Sequence, residues 1–126
     1  MANEITFNPS FLIANGSLRE TFTPGSLLIT QTTIGVGGHA QSIGTDAAEN
    51  LDVGDVATNG YCILRNLDAT NYVNWGPDDG GSSGAMVTCG KLKPGEVAIF
   101  RLAPGVTLMA QANVAAVKLY VRVYED

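Results

Sequence analysis

Residues 117–124 read Val-Lys-Leu-Tyr-Val-Arg-Val-Tyr, so Val117, Leu119, Val121 and Val123 alternate strictly with Lys118, Tyr120, Arg122 and Tyr124. A period of two places the first set on one side of an extended strand and the second on the other, whereas a helix would scatter both sets around its circumference. The segment therefore reads as a β-strand with one core face and one amphipathic face. No stretch of the chain carries a sustained apolar stripe at helical spacing. Short runs rich in Val, Ile, Thr, Tyr and Phe recur instead between Gly, Pro, Asn and Asp clusters, which is the rhythm of an all-β chain.

With 126 residues, 45% hydrophobic, 15% charged and 15 glycines, the chain suits a single domain with one core and many turns. The expected strands are Ser10 to Ala14, Leu18 to Thr23, Leu27 to Thr33, Tyr61 to Leu67, Tyr72 to Trp75, Met86 to Leu92, Glu96 to Leu102, and a hairpin over 106–124 that turns near Asn113. Eight or nine strands of this kind predict a single-domain antiparallel β-sandwich, jelly-roll-like in plan, with an extended N-terminal arm over about residues 1–11. Lys93-Pro-Gly-Glu96 has Pro and Gly at the two central positions that a type II turn prefers. Residues 34–60 are the least regular part, with one short helical turn expected at Asp46 to Asn50, and Gly76 to Gly84 reads as an exposed loop. Glu96 to Leu102 and Tyr61 to Leu67 are apolar on both faces, so a loop or another subunit is expected to cover the side away from the core.

The charge argues about partners. Seven Lys and Arg against twelve Asp and Glu give −5, and Arg19, Arg65, Lys91, Lys93, Arg101, Lys118 and Arg122 are scattered along the chain, so neither nucleic acid nor an anionic membrane is the expected partner. The first residues have no positive segment followed by a long apolar one, and no apolar run approaches the ~18 residues of a membrane span. Synthesis and folding in a cytoplasm are expected. In that setting Cys62 and Cys89 read as small buried hydrophobes rather than a disulfide, and the Asn15-Gly-Ser17 sequon stays unmodified.

Catalytic and cofactor chemistry finds little material. Gly35-Val-Gly-Gly-His39 lacks the Lys-Ser/Thr of a phosphate-binding loop, and His39 is the only histidine, in a glycine-flanked segment that holds nothing rigidly. Asp78 and Asp79 lack the alternating spacing of a Ca²⁺ loop, and two cysteines with one histidine fall short of a zinc site. No enzyme activity, cofactor or metal is expected. Binding is the better use of the residues present: Ile5, Phe7 and Phe11 alternate along an N-terminal segment that either adds a strand to a partner or is the first strand of the chain's own sandwich. Trp75 with Tyr72 and Asn74, beside the acidic loop of Asp78 and Asp79, forms a sugar-stacking surface unless Trp75 is a core or interface anchor on the strand face it shares with Val73.

Three segments carry a family likeness: Gly60-Tyr-Cys-Ile-Leu-Arg-Asn-Leu-Asp-Ala-Thr-Asn-Tyr-Val73, Lys91-Leu-Lys-Pro-Gly-Glu-Val-Ala-Ile-Phe-Arg-Leu-Ala103, and Leu119 to Asp126. Together they resemble small virion proteins of tailed bacteriophages, over the C-terminal half to two thirds of the chain and more weakly near Asn15. These are turn-and-strand motifs, not catalytic ones. The resemblance implies a capsid decoration, or cement, protein on the outer surface of the head, bound to the major capsid protein and to itself as a homotrimer. Its alternatives are a tail, neck or fibre-associated virion protein and, from another class, a carbohydrate- or receptor-binding module.

Overall fold

The computed structural model describes residues 2–126 and is all-β, with no helix among them. The chain divides into two compact units, one reaching to Thr33 and the other comprising Ile34–Asp126. The first holds four strands: β1 (Ile5–Phe7), β2 (Phe11–Asn15), β3 (Leu18–Phe22) and β4 (Leu27–Ile29). They form two separate two-stranded antiparallel sheets, β1 with β4 and β2 with β3. The β2–β3 connection works because Gly16 takes a φ of 58° at the first central position of a two-residue turn, a conformation that a side chain disfavours. The N-terminal segment pairs locally: Ile5 lies opposite Ile29 and Phe7 opposite Leu27.

The second unit contains β5 (Val36–Gly37), β6 (Ala40–Ile43), β7 (Glu49–Asn50), β8 (Asn59–Asn66), β9 (Val73–Pro77), β10 (Gly90–Leu92), β11 (Val97–Arg101), β12 (Leu108–Ala112) and β13 (Val117–Glu125). One sheet has the order β10-β9-β12-β7, the other β11-β8-β13-β5, with β6 also on β13. The strictly alternating strand β13 lies inside the second sheet, between β8 and β5. Val117, Leu119, Val121 and Val123 are fully buried, as their alternation requires, and β8 supplies Cys62 and Leu64 to the same face. Val73, Leu108, Ala110 and Ala112 of the other sheet join them in one hydrophobic cluster. Trp75 on β9 stacks on Phe100 on β11, ring centroids 5.0 Å apart and planes 8° apart, so aromatic contact also links the two sheets.

Several local expectations are corrected. The 106–124 hairpin does not form: β12 pairs with β9 and β7, while β13 pairs with β8, β5 and β6, so residues 113–116 carry the chain from one sheet to the other. Leu108, Met109 and Ala110 are all buried, and a strand covered on both sides belongs inside a sheet, not at the edge of a ribbon. The Lys93–Glu96 turn forms as read, with Gly95 at φ 80° and the Glu96 N–H donating to the Lys93 carbonyl over 3.0 Å, yet it too joins different sheets. The short helical turn is absent; Glu49–Asn50 pairs with β12, and the Glu49 carboxylate accepts the Gly44 N–H. Cys62 is buried and burial pushes its thiol pKa up to about 12, but Cys89 is exposed and both are free, so only one of the two is a core residue.

Among the described residues Asn66 is the one polar residue whose side chain is fully buried. Its Nδ2 donates to the carbonyls of Asn71 (2.8 Å) and Leu92 (3.0 Å), and its Oδ1 accepts the Asp68 N–H at 2.8 Å, so one amide ties β8 to the following turn and to β10. Asp68 completes that turn by accepting the backbone N–H groups of Asn71 and Thr70, which hold its carboxyl below the ordinary carboxylate range.

Candidate functional site

The candidate residues fall in three places. In the N-terminal unit Ile5 and Phe7 are half-buried along β1, whereas Phe11 begins β2 and is 58% exposed. Elsewhere in the unit Leu12, Leu18, Phe22, Leu27 and Leu28 are exposed as well, Ile13 and Ile29 are half-buried, and none of residues 2–33 is buried. Two-stranded sheets are marginal in water without a hydrophobic face to cover. At about 25 cal/mol per Å², covering side chains of this size is worth ~1 kcal/mol or more each. The unit therefore presents apolar surface well beyond the isolated exposed residues normal for a globular chain.

Tyr72 and Trp75 do not form one platform. Trp75 shares the inward side of β9 with Val73, one face of its indole lies on Phe100, and its ring edge lies so close to Gly90 that a Cβ there would overlap it. Tyr72 precedes the strand, with the Lys91 ammonium 4.1 Å from its ring centroid. Each ring thus already has a partner, and Trp75 is a packing anchor between sheets. Asp78 and Asp79 sit beyond the end of β9, where each turns its Oδ1 back to a backbone N–H two residues on: Gly80 at 2.7 Å and Gly81 at 2.8 Å. That pattern is local turn chemistry. His39 and Asp52 approach to 3.6 Å on the surface, both more than half exposed.

The third place was not visible along the chain. Lys118 and Arg122 of β13 point away from the core, and the ladder sets Tyr120 opposite Arg65 and Arg122 opposite Ile63. One strand further, Val97 faces Arg65, Ile99 faces Ile63 and Arg101 faces Tyr61. Four of the seven cationic residues, Arg65, Arg101, Lys118 and Arg122, thereby gather on one sheet face with Tyr61, Tyr120 and Tyr124, although they are scattered in sequence. Val97 and Ile99 on this face are 53% and 40% exposed, so no loop closes over the outer side, which was expected to be covered by a loop or another subunit, and it is open in the single chain. The Arg101 guanidinium lies 4.8 Å from the Tyr61 ring centroid and 3.1 Å from the Asp126 carboxylate. Aromatic and Arg side chains around an apolar centre are the composition of protein interfaces. The outward half of the β13 alternation was the only signal in the sequence; the pairing that brings Arg65 and Arg101 beside it was not.

No family model, curated protein or solved structure matches the chain.

Proposed function

We propose that this chain is a non-enzymatic structural protein of a tailed-phage particle, a capsid decoration protein that binds the outer surface of the head and stabilises it against the pressure of packaged DNA. In this reading the two large sheets face one another as a jelly-roll-like sandwich, and the protein acts as a homotrimer on the major capsid protein. It is made in the host cytoplasm and uses neither nucleic acid nor a membrane as partner. The observation that carries the reading is the N-terminal unit, in which no described residue is buried while Phe11, Leu12, Leu18, Phe22, Leu27 and Leu28 are 40–72% exposed. Such a segment gains most of its apolar burial from a partner. A protein that works by laying surface across joints between subunits needs that property, and threefold association would multiply modest contacts through avidity. The family likeness of residues 60–73, 91–103 and 119–126 supplies the phage context.

The test is binding of the purified chain to expanded, undecorated heads of its phage, followed by co-sedimentation and image reconstruction. Saturable density on the outer head surface is the expected result. Density at the tail or neck, or no binding to heads at micromolar protein, would overturn it. Replacing Leu12 and Phe22 by Asp should weaken head binding at least tenfold, with the Trp75 fluorescence of the other unit unchanged.

A further inference from the structure

We infer that the two edges of the five-stranded sheet are complementary surfaces that join copies of this chain head to tail, with Arg101 of one copy entering an acidic recess beside Val36 of the next. This rests on the self-association included in the reading above and names the surface that would carry it. At the β11 edge the outward side chains are Val97, Ile99 and Arg101, with Arg65 alongside on β8. At the β5 edge Ile34 is 94% and Val36 49% exposed, and an open recess of about 170 Å³ is lined by these two with Gly35, Asp55, Val56 and Glu125. Each edge thus offers exposed apolar side chains, with cations on one and carboxylates on the other.

The two edges cannot satisfy each other within one chain. In the order β11-β8-β13-β5 they are separated by three strand spacings, roughly 14 Å. The directions and levels do suit a second copy. Each neighbouring pair in that order is antiparallel, so β11 and β5 run in opposite directions, and a copy placed with its β11 beside β5 continues the antiparallel pattern with the same face outward. The ladder also sets the level. Phe100, Cys62, Val123 and Gly37 share one rung, and Arg101 and Val36 each lie one residue beyond it toward the same end of the sheet, on either side of the β-bulge that follows Val123, which brings Arg101 near the level of the recess. Stacking of its guanidinium near Tyr61 and its bond to Asp126 hold Arg101 outward and use only part of its five-donor fork. A contact between two different edges is heterologous, and a closed ring such as a trimer is the form that leaves no edge open.

Sedimentation velocity of the full chain across 1–200 μM tests the inference, with three variants: Arg101→Glu, Asp55→Arg and both together. The expected result is association by the wild type, at least tenfold weaker association by each single variant, and recovery in the double variant, where the charges are exchanged. Mixing the two single variants should also restore association, because both junctions between unlike copies then set an arginine against a carboxylate while contacts between like copies repel. Circular dichroism checks folding, and Val36→Ser provides a second, uncharged variant expected to weaken association. A wild type that stays monomeric throughout, or association unchanged by Arg101→Glu, overturns the inference. So does weakening of head binding by Arg101→Glu with self-association intact, which would make the surface a contact to the capsid. Head binding by a monomer would sink the head-to-tail contact alone; an assembled protein that ignores heads would sink the capsid reading alone.

Discussion

Replacing Asn66 should destabilise the second unit more than any exposed substitution, and the amount follows from its bonds. The side chain is 0% exposed and makes three hydrogen bonds, two donated to the Asn71 and Leu92 carbonyls and one accepted from the Asp68 N–H. Each bond is worth ~1 kcal/mol net, but Asn66→Ala also leaves three backbone groups short of a partner, and an unsatisfied buried group costs about 1–3 kcal/mol. Because two of the three lie near the turn, where water reaches part of the way, we expect a loss of about 3–5 kcal/mol. For a chain of this length that is roughly 10–20 °C in Tm. Trp75, the only tryptophan, lies between the two large sheets, so its fluorescence during urea unfolding reports the relevant cooperative unit. The midpoint should fall with an unchanged m-value. Asn66→Asp adds a pH signature: the carboxylate would face two carbonyls where an amide donated, so its folded pKa rises above the unfolded value. Stability is then greatest at low pH, where the acid is protonated, and falls as pH rises through the folded pKa. A loss below 1 kcal/mol for Asn66→Ala, or an Asp variant most stable at neutral pH, would refute the assignment of Asn66 as the hub of β8, the turn and β10.

Further outcomes concern backbone, thiols and acid. Gly76→Ala should cost about 2 kcal/mol or more in urea melts, because a Cβ there would overlap the Val87 carbonyl, whereas Gly95→Ala, with open space but a φ of 80°, should lose only ~1 kcal/mol from backbone strain. Iodoacetamide at pH 8 should label the exposed Cys89 of native protein and leave Cys62, with its thiol pKa near 12, unlabelled until denaturant is added, as read by intact mass. The same shift makes the Cys62 contribution complete below the unfolded thiol pKa and lost as pH rises toward 12. Asp68 works in the opposite sense: its lowered pKa means that its contribution is present at neutral pH and disappears as pH falls below the usual carboxylate value of 3.8, so Asp68→Ala should flatten the acid limb of the stability curve.

The strand alternation, the type II turn at Lys93–Glu96 and the all-β class were legible along the chain because each depends on neighbouring residues: side chains two apart share a face, and proline followed by glycine sets two φ values. Sheet membership was not legible. The turns near Asn113 and at Lys93–Glu96 look like hairpins locally, yet both pass between sheets, because the strands they connect find their hydrogen-bond partners 15 to 88 residues away in sequence, as Val121 finds Leu64 and Tyr124 finds Val36. The candidate surfaces divide in the same way. Phe11 stood out along the chain through its alternation with Ile5 and Phe7, but the exposure of Leu12, Leu18 and Phe22 around it emerges only from the fold, and the face that unites Arg65, Arg101, Lys118 and Arg122 exists only once β8 lies between β11 and β13. Charge scattered in sequence became a cluster in space because long-range strand pairing, set by which apolar faces must be buried together, decides which outward residues become neighbours.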